Sequence, residues 1–389
     1  MRRTLFVLMS FALGVSLVLA AVEIGMRALG IGYPIFFVPH PVAGARMWPN
    51  LTAWYGLEGG ALVETNAVGF RDFDHPRAKP AGEFRFALLG DSYTEAMQVP
   101  FEATYWNVAR RALTRCPSLG DRKPVPVNFG LSGIGTAQEF EILRHFVWDY
   151  DPDQVVLAFV SNDFTDNHPA YGGLGLKPFY LFDAAGDLVL EADFRTSPAF
   201  LERLSPGRNL RRQVLQRSRV LQLMLEIYNS RLRKASLEEG SARRGQLSRP
   251  PEDGSLREAW VITEALIEKV AGDVESHGSE FLLFSVTTGH QVHPDPKHRE
   301  ALVAERAGDD SAYWNKRLAA LAAREGIAYL DLVERFVAHA ESNQTCLHGF
   351  ENSLPCGGHW NAEGHRLAGE ALAEAICLQL AGSGREKMN

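Results

Sequence analysis

Five short apolar runs, each closing on a polar or glycine-rich turn, limit what this chain can fold into. They are Phe84 to Leu89, Val125 to Phe129, Gln154 to Val160, Glu280 to Val286 and Ile327 to Leu332. Each has the length of a strand, and its near-continuous apolar character suits a strand covered on both faces. Helical patterning lies between them, at about residues 101 to 115, 136 to 148 and 313 to 324. Alternation at this spacing predicts a mostly parallel sheet with helices on both sides. Ligands gather at the carboxyl ends of the strands in such sheets, so the turns after the first three runs are where chemistry is expected.

The first run breaks at Gly90 into Asp91 and Ser92, a serine just past a strand end. A cap for the helix that follows is the plainer use of Asp91 or Ser92. The second run ends in Gly130-Leu131-Ser132-Gly133-Ile134-Gly135, and the third in Ser161-Asn162-Asp163. Near the C-terminus, Gly357-Gly358-His359-Trp360-Asn361 places a histidine just before Asn361, the expected cap of a last helix with Ala368, Leu372 and Ile376 at helical spacing. Acyl transfer by a nucleophile needs a hydroxyl, a base to take its proton and donors for the oxyanion. Ser92 is the expected nucleophile and His359 the expected base. The backbone N–H groups of Ser92 and Gly133 and the side-chain amide of Asn162 are the expected oxyanion donors.

Other readings of these residues are weaker. Ser132 misses the G-x-S-x-G elbow because Ile134 stands at the last glycine, and Gly133-x-Gly135 misses a dinucleotide fingerprint because Gln138 does. Asp163 is expected to organise its turn, and His365 to lie on the surface or in a supporting position. No cofactor is expected. Nor is a metal, since prolines between His290, His293 and His298 spoil a helical ligand spacing and no close Cys pair occurs.

Together the blocks Gly90-Asp91-Ser92, Asn128 to Gly133, Ser161-Asn162-Asp163 and His359 to His365 resemble the four blocks of the SGNH (GDSL-type) hydrolase family, in order, over roughly residues 84 to 167 and 260 to 380. That resemblance implies a flavodoxin-like three-layer α/β/α fold and ester hydrolysis through Ser92, with Gly133 and Asn162 as oxyanion donors. The Asn66-x-x-Gly69-Phe70-Arg71 segment is similar to one found before the domain in membrane-anchored bacterial relatives. One position departs from the pattern. The family places an aspartate two or three residues before the histidine, where this chain has Gly357 and Cys356. Asp331 and Glu351 are candidates to replace it, and a Ser-His dyad is the alternative.

Arg2 and Arg3 precede an uncharged apolar run of 19 residues, Thr4 to Val22, which as a helix spans roughly 28 Å, close to bilayer thickness. Residues 1–33 are therefore read as a transmembrane anchor or signal segment, with everything after it exported to the periplasm or the cell exterior, and secreted if the segment is cleaved. Residues 34–80, rich in Pro, Gly and aromatics, are expected to be irregular and packed on a hydrolase domain at 81–385. An insertion at about 167–257, containing a hairpin near 179–190 and helix at 198–234, would overhang the site as a lid or substrate wall. The stretch 237–255 is charged and expected to be mobile. Four cysteines suit an oxidising compartment. A Cys346–Cys356 bridge would brace the histidine loop, and the helices carrying Cys116 and Cys377 could be neighbours, but three pairings remain open.

With 46% hydrophobic and 22% charged residues the chain is globular, and a net charge of −7 without a basic stripe argues against nucleic acid. The expected substrate is an acyl ester of a carbohydrate or lipid, an O-acetyl envelope polysaccharide first among them. The alternatives are O-acyl transfer by the same Ser-His site and a non-catalytic glycan-binding or assembly protein.

Overall fold

The computed structural model describes residues 2–172, 175–191, 193–231, 250–251, 254–305 and 310–386. The apolar run forms α1 (Arg2–Ala28), which lies outside the core and is long and apolar enough to cross a membrane. Residues 34–80, expected to be irregular, instead hold two antiparallel pairs, β1 (Phe37–His40) with β2 (Gly44–Met47) and β3 (Thr52–Tyr55) with β4 (Ala61–Glu64). Their inward residues Met47 and Val63 join the core beneath the main sheet, as does Phe70 just beyond them.

The main domain starts with β5 (Glu83–Gly90), α2 (Ser92–Glu95), α3 (Tyr105–Leu113), β6 (Lys123–Asn128), α4 (Thr136–His145), β7 (Gln154–Phe159) and α5 (Asp163–Asp166). The insertion carries α6 (Pro169–Gly172), the hairpin β8 (Tyr180–Phe182) with β9 (Leu188–Leu190), α7 (Pro198–Leu204), α8 (Pro206–Arg217) and α9 (219–231). The domain resumes with α10 (Gly254–Ser276), β10 (Glu280–Ser285), α11 (Pro296–Glu305), α12 (Tyr313–Glu325), β11 (Ala328–Asp331), α13 (Val333–Asn343) and α14 (Ala362–Glu386). The single helix expected over 198–234 is broken where Pro206, which cannot continue a helix interior, follows Ser205, and again at Ser218. Most of the 237–255 stretch lies outside the described residues.

Five strands form one all-parallel sheet in the order β11-β10-β7-β5-β6, the flavodoxin-like order. Alternation along β5 sends Phe84, Phe86 and Leu88 to one core and Ala87 and Leu89 to the other; Val156 and Ala158 divide likewise from Val155 and Leu157 in β7. Helices α3, α13 and α14 cover the first core, and α4, α10 and α12 the second, which makes three layers. Pro124 and Pro126 lie in β6, the edge strand, where a missing N–H breaks no ladder. Because the chain passes from β5 to β6 on one side and then to β7 on the other, the strand order reverses at β5, and a crevice opens there at the carboxyl ends. Disulfides Cys116–Cys377 and Cys346–Cys356 close both pairs that sequence position suggested.

Candidate active site

Ser92 follows β5 at that crevice. Gly90 is required there, since a Cβ would come within 2.1 Å of Thr94 Oγ1 at φ +157°. Asp91 Oδ1 accepts the Tyr93 N–H at 3.0 Å and starts α2, so Asp91 takes the capping role and leaves the half-buried Ser92 hydroxyl for another. Ser92 Oγ lies 2.8 Å from His359 Nε2 and 3.4 Å from Asp91 Oδ2. One hydroxyl proton cannot serve both, and the shorter contact is to the imidazole.

The other face of His359 meets a residue that sequence reading missed. Glu58, at the tip between β3 and β4, accepts from His359 Nδ1 at 2.5 Å through Oε2 and from the His359 backbone N–H at 2.9 Å through Oε1. Gly358 makes room for it: its φ is +72°, and a Cβ would fall 2.1 Å from Glu58 Oε1. Burial raises the Glu58 carboxyl, but hydrogen bonds and charge from His359 outweigh it and leave the group below its ordinary range. An ionised carboxylate only accepts, so Glu58 fixes the proton on Nδ1 and leaves Nε2 to accept from Ser92. The replacements considered for the missing aspartate lie elsewhere. Asp331 accepts from the Val333 N–H and the Asn315 amide at the end of β11, and Glu351 is exposed in a turn. The hint in the sequence was a pair of glycine-rich segments, Gly56 to Gly60 around the acid and Gly357-Gly358 before the histidine.

Asn352 pins the tip that carries Glu58, accepting the Gly59 N–H at 2.8 Å and donating to Gly59 O at 2.8 Å and Gly56 O at 3.3 Å. Asn352 itself lies in the loop that the Cys346–Cys356 bridge closes.

Of the expected oxyanion donors, Gly133 is exposed and its N–H has no protein acceptor among the described residues. The Asn162 amide donates to Asp166 Oδ2 at 3.0 Å and to Asp91 Oδ2 at 3.3 Å. Behind the turn, burial raises the Asp91 carboxyl and raises those of Glu139 and Asp163 well above their usual range.

The segment before the domain braces both turns. Arg71, fully buried, donates to Val99 O at 2.7 Å and to the carbonyls of Glu95 and Ala96 at the end of α2. Asp72 Oδ2 accepts the Asn128 N–H at 2.8 Å, and Asn128 Oδ1 accepts the Gly130 N–H at 2.9 Å. Ser132 donates to Glu95 and not to a histidine, in keeping with a turn residue. Asp163 accepts the Val160 N–H at 3.1 Å and so organises its turn, while Asn361 caps α14 by accepting from Glu363 and Gly364 at 3.1 Å. His365 is not a surface residue. It is buried, accepts the Tyr105 N–H at 3.2 Å, and is pushed down to about 3 by that burial.

No family model matches the chain, and no curated protein matches it. Among solved structures it is similar to an acetyl xylan esterase at 13% identity over 75% of this chain and 100% of that one, with a TM-score of 0.39. It is also similar to an acetylxylan esterase from Geobacillus stearothermophilus at 11% identity, over 77% and 96% of the two chains, with a TM-score of 0.39. A lipase/acylhydrolase from Enterococcus faecalis matches at 14% identity over 76% and 96%, with a TM-score of 0.35. Likeness at this level leaves the chemistry to be read from the site itself.

Proposed function

We propose that the chain is a membrane-tethered serine hydrolase of the SGNH type, its catalytic part exported, which cleaves an acyl ester of a glycan or lipid through an acyl-serine intermediate. The chief support is the run of hydrogen bonds from Glu58 to His359 Nδ1 and from His359 Nε2 to Ser92 Oγ. Ser92 attacks the ester carbonyl while His359 takes its proton. The oxyanion is held by the N–H groups of Ser92 and Gly133 and by the Asn162 amide. Protonated His359, its charge balanced by Glu58, then gives the proton to the departing alcohol, and water with His359 as base releases the acid.

With a carboxylate on Nδ1, the non-catalytic alternative loses the missing aspartate that motivated it. Transfer to a sugar hydroxyl requires water to be kept out; the half-buried Ser92 and exposed Gly133 favour hydrolysis. The test is intact-mass analysis after treatment with a fluorophosphonate, beside Ser92→Ala and His359→Ala. One adduct, lost in both variants, is expected; folded protein that takes no adduct overturns the reading.

A further inference from the structure

Behind the tip that carries Glu58 lies a cavity of about 1190 Å³. One wall is apolar: Leu29, Ile31, Ile35 and Phe36 from the end of α1 and the segment after it, with Tyr55 and Leu57 from the tip. The helices of the insertion form the other wall, and among the described residues bring Arg203, Arg208, Arg211 and Arg212 together with Glu202 and Glu226. Arg208 pairs with Glu202 at 2.5 Å. Arg212 donates to Arg203 O at 2.9 Å, but its Nε–H is buried with no partner among the described residues. Burial first, then the charges of Arg203 and Arg208, push the Arg212 guanidinium below its usual range. The cluster is thus cationic among the described residues, with Glu202 paired with Arg208 and one buried N–H donor of Arg212 unused.

Size, polarity and place narrow the occupant. The volume exceeds that of most small-molecule sites. An apolar wall facing a cationic cluster suits an amphiphile with an anionic head. The cavity also sits where α1 ends: Glu23 accepts the backbone N–H groups of Arg219 and Val220 at 3.0 Å, capping α9, and Gln222 accepts the Tyr33 N–H at 3.0 Å. With α1 in a bilayer, these contacts hold the arginines at headgroup level. The same insertion helices expose Leu201, Leu204, Leu210, Ile227 and Tyr228, side chains suited to the interface.

We propose that this cavity holds an anionic, phosphate-bearing lipid of the membrane in which α1 sits, its chain along the apolar wall and its phosphate on the Arg208 and Arg212 cluster, and that this lipid is the ester-bearing substrate of Ser92. Only the second half rests on the serine-hydrolase reading. Leu57 lines the cavity and Glu58, the next residue, holds His359, so the cavity and the serine share one tip, and the lipid's ester, which lies between its chain and its phosphate, is the group this reading brings to Ser92. Its acyl group passes to Ser92 Oγ, the alcohol oxygen leaves with the proton from His359, and water releases the acid.

The experiment titrates full-length Ser92→Ala protein in detergent micelles with fluorescent phosphatidylglycerol, with diacylglycerol as the phosphate-free comparison and inorganic phosphate as competitor. Saturation at one phosphatidylglycerol per chain is expected, with diacylglycerol weaker by at least about tenfold, the scale of one charge-assisted contact, and no displacement by millimolar phosphate. Arg208→Ala combined with Arg212→Ala, or Leu225→Trp to fill the cavity, should weaken binding to a similar degree. Equal binding of the two lipids, displacement by phosphate alone, or full affinity in both variants overturns the lipid site; if the variants fail to fold, the ligand arms on Ser92→Ala decide. For the substrate half, phosphatidylglycerol should raise the KM of the wild-type chain for p-nitrophenyl acetate without lowering kcat, and an unchanged KM overturns that half. No turnover of p-nitrophenyl acetate at all would sink the serine reading while leaving the binding result standing.

Discussion

His359 can offer either ring nitrogen as the acceptor, and the group on Nδ1 decides which. Glu58 at 2.5 Å holds a proton there, so the lone pair of Nε2 faces Ser92. Glu58→Gln keeps the shape but lets the side chain donate, which permits the wrong tautomer. Turnover of p-nitrophenyl acetate should fall by roughly three to four orders of magnitude, as when a triad loses its carboxylate. Glu58→Asp should recover part of it, which a purely structural role would not predict, and turnover within tenfold of wild type for Glu58→Gln would remove Glu58 from the mechanism. Asn162→Ala should slow turnover by about a hundred- to a thousandfold, the usual cost of one oxyanion donor. Ser92→Ala should abolish turnover while the melting temperature stays put. The pairing of Ser92 with His359 was legible because each lies in a short local pattern at a strand or helix end. Glu58 was not, because its partner is 301 residues away and no local pattern marks a contact made only by the folded chain.

At the scale of elements, the packing of α2 against the turn after β6 brings Glu95 into a fully buried place beside Ser132 and Arg71. Burial pushes its carboxyl from 4.5 up to about 7, with the Ser132 and Arg71 contacts opposing. The native state therefore keeps a proton that the unfolded chain releases between these two values. Stability from this group is whole below pH 4.5, declines as pH rises to about 7 and is level above it, a change on the order of 3 kcal/mol. Buried His348 and His365, pushed down to about 4 and about 3 mainly by burial, act in the opposite direction, losing stability as pH falls below the ordinary histidine value. Glu95→Gln isolates the first effect: its stability in urea should gain on the wild type steadily from pH 4.5 to 7, and parallel curves would show that Glu95 does not titrate in that window. The strands and most helices were legible because burial on two faces imposes an unbroken apolar run and burial on one imposes the helical period. The paired strands within 34–80 were hidden by their four-residue length and by the Pro and Gly around them.

Over the whole molecule, a boundary at residue 81 divides the chain by composition, and the folded contacts cross it, as the expected packing of 34–80 on the domain requires. Phe70, Arg71 and Asp72 are buried to 2%, 0% and 4% exposure. Arg71 satisfies carbonyls at the end of α2, Asp72 holds the backbone of Asn128, and the tip after β3 supplies Glu58. Sequence reading gave residues 34–80 as a segment packed on the domain from 81 onwards, because strand and helix alternation starts only with β5. Physically, residues 34–80 form one side of the crevice at Ser92 and His359 and one wall of the cavity beside α1. Two shortened chains separate these descriptions. One that begins at Val22 loses only the exposed apolar helix, so it should melt cooperatively and turn over p-nitrophenyl acetate at close to the full-length rate. One that begins at Ala81 leaves buried carbonyls at α2 without donors and His359 without its carboxylate, so it should lose the cooperative transition and all turnover. A chain from Ala81 that melted and reacted like the full length would make residues 34–80 an appendage, and would take Glu58 out of the site with them.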